Sequence, residues 1–425
     1  MENCDRSLSS IENSITPDMA DRILLDKLIA VIGLLFACNI FAAMGVSGPF
    51  LTIIRYGLPA IILTRLAARY KATLRVLQSD VFLVILNLII FASFVWSLQP
   101  RATMTGLRGE YVQTVLIALF LATRFSMQQQ VRLISVTFGI AALISAFYVA
   151  FVPSVGIHQD LVHAGAWKGV FSHKNYFSSV MTLGTASFLV QILDVRERRP
   201  WHYWGILMCI ALILLSTSKT GQVLLVSILL VLFLYGRYRW QGMKTILVLY
   251  GVLMIMLGGV LTLTNFWDQI FIALGRDPTL SGRTLIWDLL RDVYIPQRPL
   301  LGYGRGVFWS VGQFSGLAFI PSHAHNGWYD LILDVGLVGF LFYLLSAMQA
   351  WRRVLRLAYA ARSGAYLWPL ALFTIVFINN FTESLMTYLV NIFWPLYMMA
   401  CWSLKEAIIA QEGYQIDRKP LPRSG

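Results

Sequence analysis

The chain has 425 residues, of which 57% are hydrophobic and 13% are charged, whereas an ordinary soluble domain has about 25% charged residues. This composition excludes a typical soluble enzyme and favours an integral membrane protein. The net charge of +13 does not indicate a nucleic-acid partner, because no basic run is interleaved with base-stacking aromatic residues.

The amino-terminal segment is polar rather than apolar. Residues 1–27 are mildly acidic and lack the basic start of a cleaved signal peptide. We expect them to form a disordered cytoplasmic tail, followed by a polytopic membrane domain over residues 28–404 and a second cytoplasmic tail over residues 405–425. The four cysteines fall in the inner tail or in apolar runs, so no outer-face disulfide is predicted.

Apolar runs recur along the chain at close to the length of about 20 residues that a helix needs to cross the hydrocarbon core. They predict an all-α integral membrane protein with about twelve transmembrane helices. We place the spans near residues 28–46, 49–66, 80–98, 111–123, 131–152, 174–193, 203–218, 220–235, 244–264, 328–350, 366–383 and 387–404.

The distribution of basic residues predicts the orientation of these spans. With the amino terminus inside, most of the Lys and Arg residues fall in cytoplasmic segments. Both termini are therefore expected in the cytoplasm. The long polar segment of residues 265–327, between the ninth and tenth spans, then faces the outer side of the membrane.

Lys219 lies in a very short connection between two predicted spans, within the sequence Ser216 to Gly221. A cation near the membrane is costly to bury, by about 2.5–3.5 kcal/mol at the bilayer centre, so it usually has a partner or a task. The alternative is a lysine whose amine extends to the lipid headgroups.

The long outer segment concentrates positive charge, in Arg276, Arg283, Arg291, Arg298, Arg305, His323 and His325. Residues 283–293 carry apolar residues at helical spacing, and Pro296 is expected to end the helix. Arg283 lies at the amino-terminal end of this helix, where free backbone N–H groups also favour an anion. The alternative for Arg283 and Arg291 is that they only solvate the polar face.

Two histidines close the long segment, and a helix follows them. His323 and His325 lie at a membrane mouth beside basic residues, where a histidine suits a general base because its pKa lies near neutral pH. They could instead chelate a metal, but the sequence has no Asp-x-Asp pair, and we predict neither a metal site nor a cofactor. Asp330 and Asp334 share a helix face and are expected to hold basic or histidine side chains, while Gly336 and Gly339 let that helix pack closely against a neighbour.

Several short motifs together resemble the O-antigen ligase and Wzy-type polysaccharide polymerase family, and within it the ExoQ-like exopolysaccharide polymerases. The resemblance covers roughly residues 165–340. Its motifs are Gly169 to Asn175, Ser216 to Thr220, Gly282-Arg283 with Ile286-Trp287, Pro299 to Gly304, and His325-Asn326 followed by Gly336 and Gly339.

The resemblance implies an inverting, metal-independent glycosyltransferase in the bacterial inner membrane. It acts at the periplasmic face on glycans carried by undecaprenyl diphosphate. Lys219 and Arg283 are then expected to bind the donor's diphosphate, and His325 to serve the acceptor hydroxyl. We assign substrate-binding roles to His173, Lys174, Asn175, Arg305, Arg291, Asn326, His323 and Asp330.

Three functions are compatible with these observations. A polymerase of lipid-linked repeat units is favoured, because many ligases carry arginine where this chain has Lys219, and because of the His173-Lys174-Asn175 motif. An O-antigen ligase that transfers the glycan to lipid A core is the alternative enzyme. A lipid-glycan transporter or flippase is the alternative without catalysis, but no internal repeat supports it. For the polymerase, a chain-length regulator and a flippase are candidate partners.

Overall fold

The computed structural model describes residues 17–160, 163–195, 197–237, 283–311, 322–359, 361, 363–381, 383–384 and 391–416. Its helices are α1 Pro17–Ala37, α2 Ile40–Ala43, α3 Pro49–Ala67, α4 Tyr70–Gln78, α5 Val81–Ala92, α6 Pro100–Gly106, α7 Val112–Arg124, α8 Met127–Phe151, α9 Pro153–Gly156, α10 Lys174–Ile192, α11 Pro200–Leu215, α12 Lys219–Arg237, α13 Arg283–Leu289, α14 Ile295–Gln297, α15 Phe308–Val311, α16 Gly327–Tyr359, α17 Trp368–Asn379 and α18 Phe393–Ile416. The described ranges contain one isolated β-bridge, between Ile157 and Trp167, and no strand.

The helices are those of a membrane protein. Within the described ranges, Pro49–Ala67, Met127–Phe151 and Gly327–Tyr359 are each long and apolar enough to cross a bilayer. The pair Tyr70–Gln78 and Val81–Val95 also qualifies if its two helices, bent by 98°, form one broken span. Eleven predicted spans coincide with helices, and the span at 244–264 lies outside the described residues. The all-α membrane architecture is confirmed, and the number of twelve spans stays a prediction.

Helix α10 lies at the centre of the bundle, where it packs against α8, α11, α12 and α17. Small residues allow this close approach: a Cβ on Gly205 of α11 would lie 2.6 Å from the ring of Phe188. The buried hydroxyls of α10 bond to their own helix, as Thr182 Oγ1 does to the Ser178 carbonyl at 2.9 Å. Polar groups are thereby satisfied in an environment without water, and the amino-terminal end of α10 is held in a fixed position.

Helix α16 is broken at Gly336, whose φ of 69° lies in the left-handed region. The backbone of residues 299–304 enters the break and replaces the lost helical hydrogen bonds. Leu337 N donates to Pro299 O at 2.7 Å, and Tyr303 N donates to Leu333 O at 2.7 Å. A helix interior can be interrupted in this way when protein groups satisfy the freed amides. Gly336 was predicted to let one helix pack on another; it serves to dock this loop instead.

The helix boundaries differ from the predicted ones at both ends of the chain. Helix α1 begins at Pro17, within the segment assigned to the amino-terminal tail, and α18 continues to Ile416. The cytoplasmic location of both tails stays a prediction.

Candidate active site

Three side chains converge on the carboxylate of Glu383. Oε1 accepts a hydrogen bond of 2.8 Å from Asn175 Nδ2 and lies 3.8 Å from Arg283 Nη2, while Oε2 lies 3.9 Å from His325 Nδ1. The Glu383 side chain is 13% exposed. A carboxylate this buried needs hydrogen bonds or an opposite charge, which Asn175 and Arg283 supply. The carboxylate thus joins the proposed base to the proposed cation.

Asn175 is held by the short connection that precedes α12. Ser218 Oγ donates to Asn175 Oδ1 at 2.9 Å and accepts from Gly221 N at 3.2 Å, as a helix N-cap does. Thr217, with a φ of 54°, makes the reversal between α11 and α12. Lys219 is the first residue of α12 and its side chain is exposed. The motif Ser216 to Thr220 therefore starts a helix next to the Asn175 side chain.

His323 and His325 flank Ala324, whose backbone N–H and carbonyl groups both form hydrogen bonds. The Ala324 N–H donates to Asp330, 3.2 Å from each carboxylate oxygen, and the Ala324 carbonyl accepts from Trp287 Nε1 at 2.8 Å. Asp330 also accepts from Trp309 Nε1 at 2.7 Å. Asp330 was expected to hold a basic or histidine side chain; its hydrogen bonds here are with a backbone amide, an indole and the Ser384 hydroxyl. These contacts fix the loop from α13, α15 and α16.

The loop that carries Glu383 is joined to the histidine loop through the backbone. Gly327 N donates to Asn380 O at 3.0 Å, and Asn326 N donates to Ser384 Oγ at 3.2 Å. The Asn326 side chain caps α16, because its Oδ1 accepts from Trp328 N at 3.0 Å. His325 has a φ of 51°, which is uncommon for a residue with a side chain and is often found at functional sites.

Burial and positive charge keep both histidines neutral. Burial and the nearby Arg283 lower the pKa of His323 to about 4. Burial lowers the pKa of His325 to about 3, with His323, Arg283 and His173 adding to the effect. The ring centroids of His323 and His325 are 3.9 Å apart. The near-neutral pKa that the sequence predicted for this base is therefore wrong for the site without substrate. A neutral imidazole nevertheless has a lone pair that can accept a proton.

The charges of Glu383 and Arg283 depend on each other. Burial raises the pKa of Glu383, and the Arg283 guanidinium together with the hydrogen bond from Asn175 lowers it. Burial lowers the pKa of Arg283, and Glu383 raises it. Ligand-type atoms of His323, His325 and Glu383 lie within 4.8 Å of one another, but a metal ion there would share Glu383 with a guanidinium 3.8 Å away. Like charges oppose that arrangement, so we assign the carboxylate to Arg283 and His325.

A second group of histidines lies beside the start of α10. The ring centroids of His158, His163 and His173 are 5.1 to 5.3 Å apart. Asp160 contacts His158 Nδ1 at 2.8 Å and His163 Nδ1 at 2.9 Å. His158 Nε2 accepts from Lys174 N at 3.1 Å, so the proton of the neutral ring lies on Nδ1.

This hydrogen bond argues against a metal ion in the second group, although the ligand-type atoms of His158, Asp160 and His163 lie within 4.8 Å of one another. A metal-bound imidazole carries a proton on its other nitrogen, and His158 Nε2 could not then accept from Lys174. His173 Nδ1 accepts from Asn175 N at 3.2 Å. Burial and the neighbouring His158 and His163 lower the pKa of His173 to about 4.

Two predicted substrate-binding arginines lie apart from Glu383. Arg291 is exposed and pairs with Asp288 at 2.9 Å and Asp292 at 2.8 Å, as the solvated alternative predicted. Arg305 is 6% exposed and lies over the ring of Tyr111, with 4.9 Å from its Cζ to the ring centroid. A substrate role for Arg305 stays a prediction and requires the guanidinium to leave this ring. The structure thus brings together Arg283, His323, His325 and Asn175, and places Lys219 next to Ser218.

The comparisons with known proteins agree with the predicted resemblance. The sequence model of the O-antigen ligase family matches residues 204–344. This segment is similar to the O-antigen ligase family over about a third of the chain. The match includes Lys219, Arg283, His323 and His325, so most of the candidate site lies within it.

A curated relative is the exopolysaccharide production protein ExoQ of Rhizobium meliloti (strain 1021), which is 23% identical over 276 residues. The alignment covers 60% of this chain and 60% of that protein. Both matches support the resemblance to the O-antigen ligase and ExoQ-like family that the sequence predicted.

Glu383 is the site residue to which the sequence assigned no role. It lies at the end of a predicted span, in the sequence Asn379 to Ser384, and no neighbouring residue in that sequence indicates a carboxylate site. The one signal in the sequence was a carboxylate at the predicted outer end of an apolar span. Trp287 and Trp309 are two further residues that sequence reasoning missed; their indole N–H groups hold the histidine loop.

Proposed function

We propose that this protein is a membrane glycosyltransferase that polymerises oligosaccharide repeat units carried on undecaprenyl diphosphate at the periplasmic face. The observation that carries this proposal is the convergence of Arg283 and His325 on Glu383. A fixed cation suits a diphosphate leaving group, and a neutral histidine suits the attacking hydroxyl. The similarity of residues 204–344 to the O-antigen ligase family supports the same reaction class.

The proposed reaction is a single displacement with inversion at the sugar. The acceptor hydroxyl loses its proton to His325 while its oxygen forms a bond to the anomeric carbon. The bond from that carbon to the diphosphate breaks, and undecaprenyl diphosphate leaves with the electron pair. Arg283 and Lys219 stabilise the negative charge that develops on it, so the step needs no metal ion.

Polymerase is favoured over ligase by the cations beside the second histidine group. Lys174 is half-buried and acts on His173, and Lys168 is half-buried and acts on His158. His173 is close enough to lower the pKa of His325. A polymerase must hold two diphosphate lipids, one as donor and one as acceptor, and this group is suited to the second. The family description, O-antigen ligase, favours transfer to lipid A core as the second candidate function.

The deciding experiment supplies the purified protein with undecaprenyl-diphosphate repeat units alone. A polymerase makes a ladder of longer lipid-linked products and releases undecaprenyl diphosphate. Release that begins only after lipid A core is added, with a single transfer product, would replace the polymerase with the ligase. No transfer with either acceptor would remove the glycosyltransferase assignment.

Site variants test the assigned roles in the same assay. We expect Arg283→Ala, Lys219→Ala and His325→Ala each to reduce transfer by about 10²-fold or more, the usual range for a general base or a charge-stabilising group. Arg291→Ala serves as the matched control, because its guanidinium pairs with Asp288 and Asp292 at the surface. Near-normal activity of His325→Ala would remove it as the base.

A further inference from the structure

We infer that Glu383 is a positioning residue that acts through His325, and that binding of the donor diphosphate to Arg283 releases Glu383 for this task. The inference rests on the proposed function and adds a residue outside the segment matched by the family model. In this role the Glu383 carboxylate orients the base, as the third group does where a nucleophile is activated by a base.

The two oxygens of Glu383 face different partners. Oε1 is directed at Asn175 and Arg283, and Oε2 is directed at His325. His325 Nδ1 is buried and makes no hydrogen bond within the described part of the chain. A buried ring nitrogen without a partner is costly, and the carboxylate oxygen Oε2 of Glu383 lies 3.9 Å from it. A shift of less than about 1 Å would bring this pair within hydrogen-bond distance.

Hydrogen bonds of the neighbouring residues hold Glu383 close to His325. Asn175 Nδ2 fixes Oε1, and Glu383 N donates to Asn379 O at 2.8 Å. Gly327 N binds Asn380 O, and a Cβ on Gly327 would overlap with the Asn380 side chain. The two loops can therefore approach this closely only with glycine at residue 327. Such a framework leaves the carboxylate little freedom except rotation between its two partners.

The charged and titratable groups that act on the His325 ring are His323, Arg283, His173 and Glu383. His323, Arg283 and His173 disfavour a positive charge on the His325 ring. The Glu383 carboxylate favours that charge. Without substrate, Arg283 shares this carboxylate. A diphosphate oxygen provides Arg283 with a stronger anionic partner, after which Glu383 can accept a full hydrogen bond from His325 Nδ1.

The proton balance of the step follows from this arrangement. Glu383 keeps the proton of neutral His325 on Nδ1, which leaves the Nε2 lone pair free for the acceptor hydroxyl. Nε2 takes that proton as the new glycosidic bond forms and the bond to the diphosphate breaks. The resulting imidazolium is stabilised by Glu383 and then releases its Nε2 proton to solvent. Glu383 stays ionised throughout, as in other pairs of this type.

The first test is a double-mutant cycle on Glu383→Gln and His325→Ala, with Glu412→Gln as the matched control at a surface pair with Arg356. Glu383→Gln keeps an oxygen for Asn175 and removes only the charge. We expect it to lower kcat about 10- to 100-fold with the donor KM changed less than about twofold. In the His325→Ala background it should change the rate by less than about twofold, because the two residues act as a unit. Independent, multiplicative losses would overturn the inference.

The second test needs no glycosyl transfer. Diethyl pyrocarbonate modifies neutral histidine rings, and peptide mass spectrometry gives the rate at each histidine. At pH 7 we expect Glu383→Gln to slow modification of His325 by about threefold or more, with His163 unchanged as the internal control. Equal rates at His325 in both proteins would overturn the role of Glu383. If the unaltered protein transfers no glycan at all, the proposed function fails while this measurement still decides the positioning role.

Discussion

The carbonyl oxygen of Leu300 lies so close to Gly336 that a Cβ at residue 336 would overlap with it. This contact is the centre of the break in α16, where Val338 N donates to Leu300 O at 3.1 Å and Gly304 N donates to Asp334 O at 3.1 Å. The loop after α14 is thereby anchored inside a membrane helix. The docked loop follows α13 and α14 along the chain, so the break anchors the segment that begins with Arg283 at its far end.

We expect Gly336→Ala to destabilise the protein through both the overlap and the left-handed φ of 69°. Strain of this kind costs about 1–3 kcal/mol, which corresponds to a fall in Tm of roughly 1–3 °C in a chain of this size. Thermal melting in detergent measures it. Gly109→Ala is the control, because a Cβ there meets no atom within 4 Å. Equal melting of the two variants would show that the loop can move away from residue 336 at little cost.

The sequence predicted most of the described helices, but only individual residues of the candidate site. Apolar runs identified α8, α10 and α16, because burial in lipid leaves a strong local signal. The helix at Arg283 was predicted to end before Pro296, but a wide turn at Leu290–Tyr294 lets Pro296 start α14. The apolar residues predicted along this helix are only partly buried: Ile286 and Leu290 are buried, whereas Leu285 is 56% exposed.

Glu383 could not be assigned from the sequence for a physical reason. Its role depends on contacts with Asn175, Arg283 and His325, which come from three distant parts of the chain. No local periodicity records such a convergence. By contrast, Arg283 and His325 were found because a helix start and a histidine in a basic segment have chemical meaning on their own.

The indole of Trp287 should matter for catalysis although it touches no substrate. Trp287→Phe keeps the ring and removes the 2.8 Å hydrogen bond to Ala324 O, the residue between the two histidines. A small displacement of His325 is expected to lower the transfer rate about 10-fold or more. The matched control is Trp328→Phe, because Trp328 Nε1 is buried without a hydrogen bond among the described residues. Equal rates for both variants would show that the bond does not position the loop.

The orientation of the membrane domain can be tested by labelling. A cysteine at the exposed Ser172 should react with an impermeant thiol reagent added outside sealed cells, because the second histidine group is predicted to face the outer side. A cysteine at Arg356, whose side chain is 67% exposed, should be protected, since this basic segment is predicted to be cytoplasmic. The reverse pattern would place the candidate site on the inner face and contradict the proposed reaction.

The low pKa of His325 predicts an unusual pH dependence. The proposed base acts in its neutral form, and the fold lowers its pKa from 6.5 to about 3. The neutral form is therefore retained as the pH falls, so kcat/KM should stay flat from pH 8 to about 5 rather than fall tenfold for each unit below 6.5. A rate profile on purified protein measures this. An acid limb with its midpoint near 6.5 would mean that the base is an unperturbed histidine elsewhere.

The cations beside His173 separate the polymerase from the ligase within one assay. If Lys168 and Lys174 bind the diphosphate of the acceptor lipid, Lys174→Ala should raise the acceptor KM and shorten the products, because each ion pair to a phosphate contributes to holding the growing chain. The loss is expected to be about 10-fold in kcat/KM for the acceptor, with donor binding unchanged. Lys405→Ala, at an exposed position in α18, is the control for charge alone. Lys174→Ala could instead leave product length unchanged and impair only donor binding. The second histidine group would then belong to the donor site. A ligase, which binds one diphosphate lipid, would explain the cations better.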